Sequence, residues 1–473
     1  MSKPLYSAIK RSVSGRLSTY LVQFASLAIY ARLFSPEEFG IIASIQVFVI
    51  FFQMLADVGI GPAIINEDEF GINKRNGIFT VTALIGCFLS IAFFFFSYAL
   101  NSFYGGYEYQ NIAIFVCVAI LFYSLNIVPT TAMNKDVKFL HLAASDILVE
   151  LCSLSIVYVL YTQGFGLLAL ATRPATQGII KFFITWILSD KTTIGRPVFG
   201  SELFHIKSIL SFSLYQFGFN FINYFSRNLD NILIAKYFGM ASVGIYEKSY
   251  QLMRYPLMVT TFAMAPAIQP ILTKDRNDKE KIILEHNSLT SRLLMLSVPI
   301  SIFIFFNSYS IILFLFGDNW LAIEPLLKIF SFMIPIQAVL STSGSFYQVM
   351  NQPKLLFISG ILSAFVNSIA IVTGIVLGEV EFVAYGLVIS FTINFIQAYF
   401  ILFKYCFGAS SKRFYISLAK AIVVIAPSVF VYCFISFNMD LSKYSALIDL
   451  VVNSILGLLS LVLCYPRIKR YLS

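Results

Sequence analysis

"ARLFSPEEFGIIAS" (Ala31–Ser44) and "AKYFGMASVGIYEK" (Ala235–Lys248) are two versions of one phrase. A shift of 204 residues matches Ala31 to Ala235, Phe34 to Phe238, Gly40 to Gly244 and Ile41 to Ile245, and sets Arg32 on Lys236. Without a gap, the same shift brings "GPAI" (Gly61–Ile64) onto "APAI" (Ala265–Ile268). Apolar helices match by coincidence, but shared glycine and proline positions do not come so cheaply. The chain therefore repeats itself, and what the repeat means depends on what lies between its copies.

What lies between is apolar. The chain of 473 residues is 58% hydrophobic and 12% charged, against roughly 45–50% and about 25% in soluble domains. Segments such as "CFLSIAFFFFSYAL" (Cys87–Leu100) carry no charge at all. A helix crosses the hydrocarbon with about 20 mostly apolar residues. The apolar runs give fourteen such spans, near 12–33, 40–64, 77–100, 110–131, 140–162, 165–188, 208–237, 242–271, 288–316, 321–349, 354–377, 382–405, 414–436 and 445–465. The expected class is an all-α integral membrane protein. A membrane β-barrel is excluded, since its strands alternate over about ten residues instead of running apolar for twenty.

The net charge of +9 is mostly topological. Lys3, Lys10, Arg11 and Arg16 precede or open the first span, and alternate connections then carry Lys74 and Arg75, Lys135 and Lys138, and Lys191, Arg196 and Lys207. The series continues with Lys274, Arg276, Lys279 and Lys281, then Lys354, then Lys412 and Arg413, then Arg467, Lys469 and Arg470. The opposite connections, such as "NSFYGGYEYQN", "TQGFG", "GDNW" and "GEVE", carry none; Arg32, Lys236, Lys248 and Lys443 are the exceptions on that side. By the positive-inside rule both termini lie in the cytoplasm. This pattern leaves no basic surface that calls for nucleic acid. The basic N-terminus leads straight into a helix, so no removable signal peptide is expected. The six cysteines lie in apolar stretches without paired spacing, and the three histidines are scattered, so neither a disulfide framework nor a metal site is expected.

Six spans separate the two copies of the phrase. An even number sends both copies across the membrane in the same direction, a parallel repeat about an axis along the membrane normal. The expected lobes are 1–200 and 201–406, six helices each, with spans 13 and 14 in 407–473. A second echo, "AMNKDVKF" (Ala132–Phe139) against "VMNQPKLLF" (Val349–Phe357), ends spans 4 and 10.

Polar residues inside the spans follow helical faces. In span 7, Gln216, Asn220, Asn223, Arg227 and Asp230 are spaced 4, 3, 4 and 3 apart, one continuous stripe. Shifted back by 204, the last four fall on Arg16, Thr19, Gln23 and Ser26 of span 1. Span 2 sets Gln46, Gln53 and Asp57 on one face, and its counterpart, span 8, sets Tyr250, Arg254 and Thr261. An Arg near the bilayer centre costs about 2.5–3.5 kcal/mol even on lenient scales. Arg173, Arg227, Arg254 and Arg292 nonetheless lie within spans, beside the acids Asp57, Asp146, Glu150 and Asp230. Two readings stand: structural pairs, as Arg227 with Asp230 at i, i+3, or a shared watery cavity whose excess cations suit an anion. Asp146 and Glu150, at i, i+4, read equally as an interfacial pair or as ion-coupling acids.

Three stretches resemble a known family. "RNLDNILIAKYFGMASVGIYEKSYQLMRYPLMVTTFAMAPAIQPIL" (Arg227–Leu272) and "YARLFSPEEFGIIASIQVFVIFFQMLADVGIGPAII" (Tyr30–Ile65) resemble spans 7–8 and 1–2 of the Wzx-type polysaccharide flippases. "TTAMNKDVKF" resembles the end of span 4 in the colanic-acid and teichuronic-acid exporter branch. These belong to the multidrug/oligosaccharidyl-lipid/polysaccharide (MOP) exporter superfamily. The resemblance implies two six-helix lobes in a V, lined by spans 1, 2, 7 and 8, plus two C-terminal helices. It implies a cargo: an oligosaccharide on undecaprenyl diphosphate, moved across the inner membrane for O-antigen, capsule or exopolysaccharide assembly. A diphosphate suits arginine, whose planar fork binds it bidentately, so Arg254, Arg227, Arg173 and Arg16 are the candidate anion contacts. Gln23, Gln46, Gln53, Asn220, Asn223 and Tyr250 suit sugar hydroxyls. No nucleotide motif is present, so the expected drive is an H+ or Na+ gradient, with Asp57, Asp146, Glu150 and Asp230 as coupling candidates, or substrate consumption. No catalytic residue, cofactor or metal is expected; a polysaccharide polymerase and a chain-length regulator are the expected neighbours. Pro62 and Pro266 read equally as bending points and as helix terminators.

Two rivals remain. Multidrug antiporters share the superfamily, but they favour acidic cavities and twelve spans. A membrane polymerase, ligase or lipid-linked glycosyltransferase needs a large external loop with catalytic groups, and the external loops here are a handful of residues each.

Overall fold

The computed structural model describes residues 3–472 apart from 58, 67–69, 207–223, 259, 260, 262–267, 269–271 and 440–444. Among the described residues every regular element is helical. The first half comprises α1 (Lys3–Leu33), α2 (Pro36–Asp57), α3 (Ile60–Asn66), α4 (Ile72–Tyr104), α5 (Tyr109–Lys135), α6 (Phe139–Thr162), α7 (Leu167–Ala171) and α8 (Arg173–Ser189). It continues with α9 (224–238) and α10 (Met240–Leu257). The second half comprises α11 (Lys279–Leu315), α12 (Glu324–Ser331), α13 (Met333–Leu340), α14 (Ser343–Val349), α15 (Pro353–Leu377), α16 (Val380–Ile401), α17 (Lys412–Asn438) and α18 (Ala446–Leu472).

Eight of these helices are long and apolar enough to cross a membrane, or ten if two bent pairs each make one span. They cover predicted spans 2, 3, 4, 5, 9, 11, 12 and 13, and the bent pairs cover spans 10 and 14. Span 1 corresponds to α1, span 6 to α7 and α8, and spans 7 and 8 to α9 and α10, which the structure describes only in part. The chain is a multi-pass helical membrane protein.

Breaks fall where local chemistry asks for them. Between α2 and α3, Gly59 takes φ +75°, a left-handed value that a glycine adopts without penalty. Pro62 follows in the short α3, downstream of that break; Pro266 lies outside the described residues. Span 6 breaks at Thr172, and Pro174 follows at the start of α8, where a missing N–H costs nothing. In α11, Asn307 has non-helical torsions (φ −106°, ψ 15°).

The chain forms two compact units, Leu21–Gly244 and Met1–Tyr20 with Ile245–Ser473. These units and the sequence repeat divide the chain at different places, and two features of the first unit show why. The connection after α8 is strapped onto the start of α4. Thr80 Oγ1 donates to Gly200 O (2.9 Å) and accepts from its N–H (2.8 Å), and Arg75 Nη1 donates to Ile194 O (2.9 Å). Trp186 Nε1 donates to Pro197 O (2.9 Å), and the Arg196 guanidinium covers the Trp186 ring at 4.6 Å. Asn73 Nδ2 also donates to Glu202 Oε1 (2.7 Å), so residues just past 200 belong physically to the first lobe's surface. Farther on, α9 packs along α2: Tyr224 Oη donates to Val47 O (2.6 Å), and the Phe51 and Phe225 rings sit 5.1 Å apart.

The second unit has its own core, built from α11 and α13–α17. At its centre the fully buried His286 is ringed by Phe346, Tyr399, Phe403, Phe407 and Phe414, with centroids between 4.7 and 5.9 Å.

A candidate cargo and coupling site

The clearest assembly of in-span charge lies between α6 and α8, in the first unit. The two helices run antiparallel, so residues ascending one meet residues descending the other. Glu150 is buried, its side chain 6% exposed; Arg173 Nη2 donates to both its oxygens, at 2.9 and 3.2 Å. Gln177 Nε2 donates to Oε2 of the same carboxylate at 2.8 Å. One turn away, Lys181 Nζ donates to Asp146 Oδ1 and to Ser145 Oγ (2.7 Å). From α1, the ring of fully buried Tyr30 lies 4.7 Å beneath the Arg173 guanidinium. Arg173 Nε is buried without a hydrogen-bond partner. A charged pair, two amide or ammonium donors and an aromatic face thus meet inside an apolar bundle.

Of the residues singled out in the sequence, Asp146, Glu150 and Arg173 come together here. Lys181 and Gln177 were not singled out, although 173, 177 and 181 fall at intervals of four on one helical face, the same signal that marked span 7. Asp57 sits at the end of α2, where its Oδ1 accepts the Gly61 N–H (3.2 Å) across the break into α3. Gln46 and Gln53 are half-buried on α2, and Gln23 is half-buried on α1. On α9, Arg227 is exposed and Asp230 is buried, its carboxylate accepting the Asn231 N–H at 2.9 Å. In the second unit, Arg254 is exposed near the end of α10, and Tyr250 packs edge-on against Phe330 (5.5 Å). Asn220 and Asn223 lie outside the described residues, as does the Arg16 side chain. Among the described residues no group of three His, Cys, Asp or Glu is placed to hold a metal ion.

A matching site exists in the second unit, between α15 and α16. There Asn367 Oδ1 accepts from Ser390 Oγ and from Asn394 Nδ2 (3.2 Å). One turn along, Gln397 Nε2 donates to Ser359 Oγ and Ser363 Oγ, both at 3.1 Å. The echo that ends spans 4 and 10 sets Met133 on Met350, a shift of 350 − 133 = 217. That shift carries Glu150 to Asn367, Arg173 to Ser390, Gln177 to Asn394 and Asp146 to Ser363. The repeat therefore extends to individual hydrogen bonds.

Known proteins share both sequence and fold with this chain. The teichuronic acid biosynthesis protein TuaB of Bacillus subtilis (strain 168) is 21% identical over 475 residues, covering 99% of this chain and 97% of that relative. The lipopolysaccharide biosynthesis protein WzxC of Escherichia coli (strain K12) is 21% identical over 412 residues, 86% of this chain and 82% of that one. Among solved structures, the lipid II flippase MurJ in an inward closed conformation superimposes with a TM-score of 0.75 at 15% identity, covering 97% of this chain and 99% of that one. An inward-facing multidrug resistance MATE transporter of the MOP superfamily gives 0.60 at 15% identity over 82% of this chain and 96% of that one. Residues 29–325, well over half of the sequence, match the family described as polysaccharide biosynthesis protein, and the chain belongs to that family.

Proposed function

We propose that this protein flips an oligosaccharide linked to undecaprenyl diphosphate from the inner to the outer leaflet of the cytoplasmic membrane, for surface polysaccharide assembly. The observation that carries this reading is kinship over 99% of the chain with a protein named for teichuronic acid biosynthesis, joined to Arg173 held against Glu150 inside an apolar bundle. A polyprenyl diphosphate is anionic at its head and apolar in its tail. Its tail stays in lipid, and its head needs guanidinium groups at membrane depth. Both termini lie on the cytoplasmic side, as the Lys and Arg alternation asks.

Transport follows alternating access between two repeats. Arg254, Arg227, Arg173 and Arg16 meet the diphosphate, and the amides and Tyr250 meet the sugars. The coupling ion, H+ or Na+, acts at an in-span carboxylate, among Asp57, Asp146, Glu150 and Asp230; Glu150 is the most buried of these to face a cation directly. The protein carries out no covalent chemistry, and a polymerase and a chain-length regulator take up its product. Fold likeness to multidrug transporters keeps cation antiport as the alternative.

The test is complementation. In strains lacking their own flippase and making defined glycans, the protein restores surface polysaccharide, and Arg254→Ala and Arg254→Gln abolish it at normal membrane levels. Arg254→Lys retains part of it, because the charge remains but the fork is lost. If Arg254→Gln exports at the wild-type rate, Arg254 does not hold the diphosphate. Efflux of cationic drugs with no polysaccharide restored in any strain favours antiport.

A further inference from the structure

On α4, Phe95, Ile91, Phe88 and Leu84 are all exposed. Spaced 4, 3 and 4 apart, they make one stripe, the lipid side of a membrane-crossing helix. Continued by steps of 4 and 3, the same stripe reaches Thr80 and Gly77, and there exposure gives way to contact with the strap that follows α8. Thr80 exchanges hydrogen bonds with Gly200 in both directions. A Cβ on Gly77 would lie 2.1 Å from the Glu202 carbonyl oxygen, so only a glycine lets the strap come this close. The strap therefore lies against the lipid side of α4, not within the bundle.

These contacts also set its depth. Lys74 and Arg75 mark the charged end of span 3, and the apolar run begins at Gly77. The strap touches α4 from Asn73 to Thr80, the level at which headgroups give way to acyl chains. At that level it turns apolar side chains outward. Phe199 is 70% exposed and Phe204 is 62% exposed, with Val198 and Leu203 exposed beside them. Its polar backbone is used inward. Val198 N donates to Asn76 Oδ1 (3.2 Å) and Gly200 N to Thr80 Oγ1, while the Ile194, Pro197 and Gly200 carbonyls accept from Arg75, Trp186 and Thr80. Irregular backbone tolerates a lipid boundary only when its polar groups are satisfied by protein, and aromatic side chains favour that boundary.

We propose that the strap is an interfacial anchor, with lipid as the partner that covers Phe199 and Phe204 at the acyl-chain boundary of the leaflet on the charged side. The anchor needs no cargo and does not depend on the transport reading. Because the strap begins the connection between the two copies of the repeat, the anchor holds the first end of that connection in the plane of the membrane.

The experiment uses the full chain, with the native cysteines replaced, in phosphatidylcholine vesicles. A nitroxide is attached at Phe199→Cys, Phe204→Cys or Lys191→Cys, one at a time. Its collisions with oxygen, which concentrates in acyl chains, are compared with those of a nickel chelate that stays in water. Lys191 is exposed at the charged start of the strap, and its label should meet the chelate freely. Labels at 199 and 204 should favour oxygen and read about 5–10 Å into the headgroup and acyl boundary. Phe204→Cys decides where Phe199→Cys does not reach the membrane. Chelate access at Phe199→Cys equal to that at Lys191→Cys overturns the anchor. Little collision with either reagent overturns it as well, since a second copy of this chain then covers the strap in place of lipid.

Discussion

The α6–α8 seam of the first repeat and the α15–α16 seam of the second share four positions (146, 150, 173 and 177 against 363, 367, 390 and 394) and differ in charge. They draw their outer donor from neighbouring registers, Lys181 in one and Gln397 in the other. In one, Glu150 receives Arg173 and Gln177, and Asp146 receives Lys181. In the other, Asn367 receives Ser390 and Asn394, and Ser363 receives Gln397. The neutral seam shows what the fold requires: a polar clasp between two antiparallel helices, made of amides and hydroxyls. A buried ion pair pays desolvation that its attraction barely returns, so charge is an expensive way to do the same job. Holding the helices together therefore accounts for the clasp and leaves its charge in the first repeat unexplained. That excess charge is the argument for placing ion coupling in the first repeat.

The decisive break of this comparison is to give the first seam the second seam's residues. The double variant Glu150→Asn, Arg173→Ser should insert and purify like the wild type, since its template already works 217 residues later. Surface polysaccharide in a flippase-null strain should fall more than tenfold. Export at the wild-type rate would show that the charged clasp does nothing the neutral one cannot.

Next in size is an asymmetry between the seams in stability, read as melting temperature of the purified protein. Arg173→Met strands the Glu150 carboxylate, which is 6% exposed, at a cost of about 3–5 kcal/mol. Glu150→Gln should cost less, because the Arg173 side chain is 31% exposed and can turn to water or headgroups. Ser390→Ala removes one neutral hydrogen bond, worth about 1 kcal/mol. A larger loss from Ser390→Ala than from Arg173→Met would invert the argument.

Much of this was legible in the sequence. Runs of twenty apolar residues announce helical spans, and Asp146 and Glu150 four apart announce a shared face. Their partners were not legible, because helical periodicity fixes which residues share a face but not the register between two faces. The second seam was hidden by a change of offset: the opening phrases match at 204, but the ends of spans 4 and 10 match at 217, so one fixed shift loses it. Neutral residues such as Asn367 and Ser390 raise no flag in an apolar helix until their charged counterparts are known. The close approach of Gly40 and Gly244, where a Cβ on Gly244 would lie 3.0 Å from Gly40 N, was half visible. Both glycines stood in the matched phrase, but that they touch is a fact of folding.

The smallest effect belongs to the outer rung of the charged seam. Asp146 has a side chain 47% exposed, whereas that of Lys181 is 16% exposed. Half-solvated pairs of this kind typically contribute about 0.2–1 kcal/mol, so Lys181→Met should lower stability by no more than that. Two considerations keep the loss small: Asp146 remains open to solvent, and the methionine stem fills the apolar path that the lysine stem occupied. Export separates the rungs. If coupling sits at Glu150, Lys181→Met exports nearly normally, and its residual effect shrinks with rising salt as an exposed pair is screened. If instead Lys181→Met abolishes export while Glu150→Gln spares it, the working carboxylate is Asp146. The coupling site then moves one helical turn along the same seam, and the contrast with the neutral seam rests on Asp146 and Ser363 in place of Glu150 and Asn367.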